Sequence, residues 1–172
     1  MLRLAGACLL IAGCAGSGWC IWRDLERRAG ELKLLERTFI MLGSEVGYSR
    51  SSLPDGLLRV GGRLEGALGD CLHRIASRVR AEPGITLREA WEELIPEYLH
   101  ETCLNEKEKA LVMTFPEYTG FVDGKMQLAA LEQFAGEVGQ AKEAAQKAAA
   151  DGKKTILSIS TAGGLLLAIL LF

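Results

Sequence analysis

"LKLLERTFIMLGSEVGYS", Leu32–Ser49, decides how this chain is read. Leu32, Leu35, Phe39, Leu42, Val46 and Ser49 recur at intervals of 3, 4, 3, 4 and 3. That spacing keeps them on one helical face, whereas a strand would bury every second residue. An amphipathic helix is therefore predicted. No proline precedes Pro54, so nothing ends the helix on its N-terminal side.

The same intervals return far along the chain in Leu131, Phe134, Val138, Ala141, Ala145 and Ala148, where the residues shrink to alanine. Two matching stripes predict a first and a last helix that pair antiparallel as a stem, a pairing that cysteines placed at 39 and 141 would report. The alternative is that each stripe faces the short helices between them. Those are marked by caps. Ser51-Ser52 and Pro54 open a helix over Leu53–Leu64, although Gly56, Gly61 and Gly62 each cost up to about 1 kcal/mol against alanine. A third runs over Ala67–Arg80 and ends at Glu82–Gly84. Thr86 and Glu89 form a capping box for a fourth, Leu87–Leu99, which Pro96 should bend or shorten. Asn105 caps a fifth, Glu106–Thr119, closed by Gly120 in a left-handed conformation. Asp123 caps the long sixth, toward Ala150. No stretch alternates like a strand. The fold class is all-α, a bundle of about six helices.

The two ends differ from this middle. Leu4–Trp22 and Thr155–Phe172 carry no charge, and each makes about 27 Å of helix, near the minimum for a bilayer core. Two transmembrane helices are expected, 1–22 and 153–172, around a helical domain at 23–152. Cys8, Ala12, Gly16 and Cys20, and likewise Ser160, Gly164 and Ala168, set small residues every fourth position, as close-packing membrane helices do. Arg23, Arg27, Arg28, Lys33 and Arg37 follow the first stretch, and Lys142, Lys147, Lys153 and Lys154 precede the second, against Arg3 alone. The positive-inside rule then puts the domain in the cytoplasm and both termini outside.

Ile11-Ala12-Gly13-Cys14 admits a second reading, a lipoprotein cleaved before Cys14 and serving as an extracytoplasmic adaptor. Against it, the apolar run continues through Trp19, Cys20, Ile21 and Trp22, longer than a signal-peptide core. The mass of the mature N-terminus separates the two.

Little chemistry is visible. The net charge is −2, which suggests no nucleic-acid partner. The five cysteines form no Cys-x-x-Cys and imply neither disulfide nor zinc framework. His73 and His100 are isolated, no phosphate-binding loop occurs, and "EKEK", Glu106–Lys109, is a solvated first turn. Glu45, beside Val46, is the one carboxylate the pattern marks for burial. No catalytic residue, metal or cofactor is expected.

Four segments nonetheless carry a resemblance. "LGSEVGYSRSSLPDGL" (Leu42–Leu57), "EAWEEL" (Glu89–Leu94), "TGFVDGKMQ" (Thr119–Gln127) and "GGLLLAILLF" (Gly163–Phe172) are similar, in that order, to segments of the stage III sporulation protein AB family of endospore-forming bacteria. Thr119 and Val122 depart from the family's leucine and serine, so Gly120, Asp123 and Gln127 carry that segment. The resemblance implies a helical domain like that of the inner-membrane platform proteins of type II secretion and type IV pilus systems. It implies a non-enzymatic place in the channel complex between mother cell and forespore, on the mother-cell side. The implied partners are the ATPase of the same operon and other channel-complex membrane proteins; a homo-oligomer stays open. Glu45, Tyr48, Trp91, Gly120, Asp123 and Gln127 are the candidate structural or partner-contact residues. Asp123 is expected to accept from the N–H groups of Lys125 and Met126, and Gln127 to brace the same turn.

Overall fold

A computed structural model describes residues 2–49, 52–120 and 123–171. Six α-helices follow one another: α1 Leu2–Ser49, α2 Leu53–Gly61, α3 Ala67–Ala81, α4 Leu87–His100, α5 Glu106–Met113 and α6 Gly124–Leu171, with a 3₁₀ turn at Phe115–Tyr118. No strand occurs among the described residues. The all-α expectation holds.

The chain divides into two compact units. One comprises Met1–Gly30 and Glu143–Phe172. In it the Trp19 and Trp22 rings lie 5.1 Å apart, and the Lys153 ammonium sits 5.2 Å from the Trp22 ring centre. Most side chains of the two terminal apolar stretches, including those of Cys8 and Cys14, lie outside the described residues. Among the described residues no helix is long and apolar enough to cross a membrane.

The other unit, Glu31–Lys142, holds the candidate residues. Its segments of α1 and α6 run antiparallel. Phe39 meets Phe134 edge to face at 4.6 Å, the Glu36 carboxylate binds Lys142 at 2.8 Å, and Gly47 lies against Leu128. The predicted pairing is present here, in a different register: position 39 faces 134 rather than 141. Leu32, Leu35, Phe39 and Leu42 are fully buried, as are Leu131, Phe134 and Val138, so both stripes face the core. Burying each such side chain contributes about 1.5–3 kcal/mol. Along the remaining helices α2 packs on α3, α3 on α4 and α4 on α5.

The caps form as expected. Ser52 Oγ accepts from the Asp55 N–H, and Thr86–Glu89 and Asn105–Glu108 close reciprocal capping boxes. Three expectations need correction. Helix α2 stops at Gly61 because its end presses on the start of α3. A Cβ on Gly69 would lie 2.9 Å from the Gly61 carbonyl oxygen and would clash with that of Leu64. The glycines that weaken α2 on propensity thus permit a close helix crossing. Pro96 does not shorten α4, which runs on past Leu99 to His100. Ile95, Tyr98 and Leu99, buried on either side of it, offset a proline cost of about 3 kcal/mol.

Helix α5 ends at Met113, not Thr119. Pro116 has no N–H to offer the Val112 carbonyl four residues back, so the helical ladder cannot continue. The Trp91 indole N–H fills that place, donating to the Val112 carbonyl at 3.1 Å in the buried interior. The chain then tightens into the 3₁₀ turn and sends Phe115 inward. Phe115 lies 4.5 Å from Trp91 and 4.9 Å from Phe39, completing an aromatic centre with Phe134. The first turn of α5 is also less solvated than expected, since Glu108 is buried by its bond to the Asn105 N–H at 2.9 Å.

Candidate functional site

Beyond the aromatic centre the unit Glu31–Lys142 opens into a cleft of about 1100 Å³. Three helix starts line it: Ser52–Pro54 of α2, Thr86–Arg88 of α4 and Asp123–Lys125 of α6. Pro116, Thr119 and Gly120 form its floor beside the 3₁₀ turn, and Val46 and Leu128 close the side toward α1 and α6. Helix starts carry unpaired N–H groups and a partial positive charge. Arg88 and Lys125 are exposed on the rim and add full positive charges, against the one carboxylate of the lining, the exposed Asp123. Among the described residues Arg88 pairs with Glu92, at 3.5 Å across solvent, a pairing worth little.

The walls of the cleft hang on a few polar bonds. Gln127 is buried, and its side-chain carbonyl accepts from the Gly120 N–H at 3.3 Å while its NH₂ donates to the Tyr118 carbonyl at 3.0 Å. One amide therefore pins the loop on both strands of its turn. Gly120 takes φ +111°, a conformation that suits glycine and strains other residues. Asp123 Oδ1 accepts from the Lys125 N–H at 3.4 Å, and its backbone carbonyl accepts from Gln127 at 2.9 Å. The expected bond from Met126 is absent from the described hydrogen bonds. Across the cleft, the Thr86 N–H and hydroxyl donate to Glu89 at 2.7 and 2.9 Å and hold that carboxyl below its ordinary range. Tyr118 donates to Glu137 at 2.9 Å and packs 5.0 Å from Phe134; its hydroxyl is pushed up by burial and then by Glu137.

The six candidate residues separate. Gly120, Asp123 and Gln127 come together at the cleft. Trp91 is fully buried and belongs to the aromatic centre, so it offers no docking surface. Glu45 ties α1 to Arg59 of α2 at 3.4 Å and to Arg63, in the turn after α2, at 2.7 Å. Burial works against its charge, but the two guanidiniums outweigh that and hold the carboxyl below its ordinary range. Tyr48 is 94% exposed, on a separate groove between α1 and α6. Leu53, Leu87, Arg88 and Lys125 were not singled out from sequence. Their only signal is adjacency to a helix cap, which marks where a helix starts and not what it meets.

Among the described residues no group of His, Cys, Asp and Glu could hold a metal ion. His73 and His100 are exposed and are not among the residues that line the cleft. Cys71 is buried, and burial pushes its thiol up to about 11, which makes it inert rather than nucleophilic.

Fold and cleft together define an α-helical bundle unit with an open, cationic-rimmed end cleft. The family model described as stage III sporulation protein AB matches residues 3–172, and the chain belongs to that family. A solved structure titled "Stage III sporulation protein AB (SpoIIIAB)" is similar at a TM-score of 0.64 and 15% identity, covering 72% of this chain and 97% of that one. At that identity the likeness shows the fold. No curated protein matches the chain.

Proposed function

We propose that the chain is a non-catalytic membrane platform in the sporulation channel complex between mother cell and forespore, needed for forespore development. Its two terminal apolar stretches cross the membrane on the mother-cell side. The helical unit lies in the mother-cell cytosol and docks the ATPase encoded in the same operon. Family membership supports the sporulation role, and the basic residues next to both apolar stretches support the orientation.

The observation that carries the docking role is the cleft. It joins apolar walls from Leu53, Pro54, Leu87 and Leu128 to the cations Arg88 and Lys125 and three positive helix ends. Apolar area supplies affinity, and the cationic rim steers an acidic partner segment into register. The described residues bring together no nucleophile and base that would suggest chemistry there.

Pull-down of the ATPase by the full chain tests this. Retention by the unaltered chain, cut at least tenfold by Arg88→Glu with Lys125→Glu, is the expected result. No retention by the unaltered chain overturns the docking role. A thiol reagent that cannot enter cells tests the topology separately, because it should not label a cysteine introduced at Glu92 in intact bacteria.

A further inference from the structure

We propose that Trp19, Trp22, Arg23 and Lys153 form a binding site for the headgroup of an anionic phospholipid. All four belong to the unit of Met1–Gly30 and Glu143–Phe172, where the charge-free stretches give way to charged helix. Trp19 is 62% and Ile21 56% exposed, an apolar surface left open among the described residues. The Trp19 ring leans on that of Trp22 at 5.1 Å. Lys153 reaches across from α6, its ammonium 5.2 Å from the centre of the Trp22 ring. Trp19 and Arg23, four residues apart, share a helical face. Two cations therefore flank a pair of indoles.

Neither cation is spent on a protein partner. Arg23 and Lys153 are exposed, and among the described residues neither is ion-paired with a carboxylate. They also stand closest to the apolar stretches. Reading out from Leu4–Trp22 the first charge is Arg23; reading out from Thr155–Phe172 the first two are Lys154 and Lys153. The carboxylates come later. Asp24 is turned about 100° from Arg23, and Glu26 lies about 4.5 Å farther along the helix. Asp151 is two residues farther from the apolar stretch than Lys153.

Indole rings settle where acyl chains meet headgroups, since that level suits both the apolar ring and its N–H. Trp19 and Ile21 then meet the upper acyl chain, and Arg23 and Lys153 meet the phosphate diester. An ammonium over an indole face still has donors free for phosphate oxygens. A zwitterionic headgroup brings its own cation against these two, so an anionic lipid is preferred. Each basic residue at the surface of an anionic membrane raises affinity about fivefold.

This rests on the platform reading at one point: the charge-free stretches lie in the bilayer. Tryptophan quenching tests it, with the full chain in phosphatidylcholine vesicles. These carry a small, equal fraction of brominated phosphatidylglycerol or brominated phosphatidylcholine. Of the three tryptophans Trp91 is fully buried in the other unit, so quenching reports Trp19 and Trp22. The anionic lipid is expected to quench about fivefold more than the zwitterionic one. Lys153→Gln should lower that ratio, and Arg23→Gln with Lys153→Gln should bring it to unity. Lys147→Gln, which removes an exposed cation farther from the apolar stretch, should leave it unchanged. Thermal melts check that each variant folds. A ratio of unity in the unaltered chain overturns the proposal. So does an equal loss from Lys147→Gln and Lys153→Gln, which would mean diffuse attraction without a site. Equal quenching by both lipids leaves the membrane reading standing, whereas no quenching in vesicles made wholly of brominated lipid overturns that reading as well.

Discussion

The aromatic centre and the end cleft share one short stretch of chain and are held in opposite ways. Phe115 turns into the centre, while Pro116, Thr119 and Gly120, its immediate neighbours, face the cleft. The centre is redundant: Phe39, Trp91, Phe115 and Phe134 each touch several of the others, with ring centres 4.5–6.4 Å apart. The cleft depends on single bonds, chiefly those of Gln127 and the helix caps. A dense centre can absorb small changes and fails when a ring is lost. A cleft pinned by single amides loses its shape one bond at a time, and its rim can change with no effect on the fold.

The largest difference should appear at Trp91. Trp91→Ala removes a fully buried ring and leaves the Val112 carbonyl without its donor, and a loss of about 3–5 kcal/mol is expected in denaturant unfolding. Trp91→Phe keeps most of the packing and should cost about 1–3 kcal/mol, the price of an unsatisfied buried carbonyl. If the two variants prove equal, the hydrogen bond rather than the ring holds the break between α5 and the 3₁₀ turn.

Alkaline pH should attack the packed interior next. Burial raises Cys71 to about 11 from an ordinary value near 9, and burial with nearby Glu31 raises Tyr98. A raised folded value means the neutral thiol is favoured in the fold, so this stability is present below pH 9 and is lost as pH climbs toward 11. A rise from 9.0 to about 11 corresponds to about 2–3 kcal/mol. The Cys71→Ala variant should lose less stability than the parent chain between those pH values, measured by denaturant midpoints. An unchanged pH profile would exclude Cys71 as the titrating group.

Gln127 tests the cleft wall. Gln127→Leu keeps volume but strands the Gly120 N–H and the Tyr118 carbonyl, and should cost about 1–3 kcal/mol. Amide exchange should rise at Gly120 and leave α3 and α4 protected. Exchange that rises throughout the unit would mean the loop is part of the core and not an independent wall.

What was legible in the sequence follows the range of each interaction. The stripes of α1 and α6 are local patterns that face the core from Leu32 to Leu42 and from Leu131 to Val138, although Ala148 is exposed; the caps at Ser52, Thr86 and Asn105 form, and Asp123 keeps one of its two expected bonds. The end of α5 was misplaced because its cause is shared between distant residues. Pro116 takes a donor away, and Trp91, far earlier in the chain, supplies the replacement. The glycines of α2 signalled weakness locally, yet Gly61 permits a crossing whose other half, Gly69, lies on another helix. The cleft was legible only as scattered parts. Asp123 and Gln127 could be assigned their turn, but no spacing rule places the start of α4 opposite the start of α6.

The rim charges give the smallest stability effect and the clearest functional one. Arg88 is about half exposed, and its only described partner is Glu92 at 3.5 Å; Lys125 is exposed at the start of α6. Reversing both should move stability by no more than about 0.5 kcal/mol, as for most surface substitutions. Glutamate near a helix start interacts favourably with the helix dipole, which adds a small gain that offsets any lost pairing. An unchanged melting temperature together with lost ATPase retention would assign the rim to the partner. A falling melting temperature would instead tie both cations to the fold, and the contrast between a structural centre and a docking end would disappear.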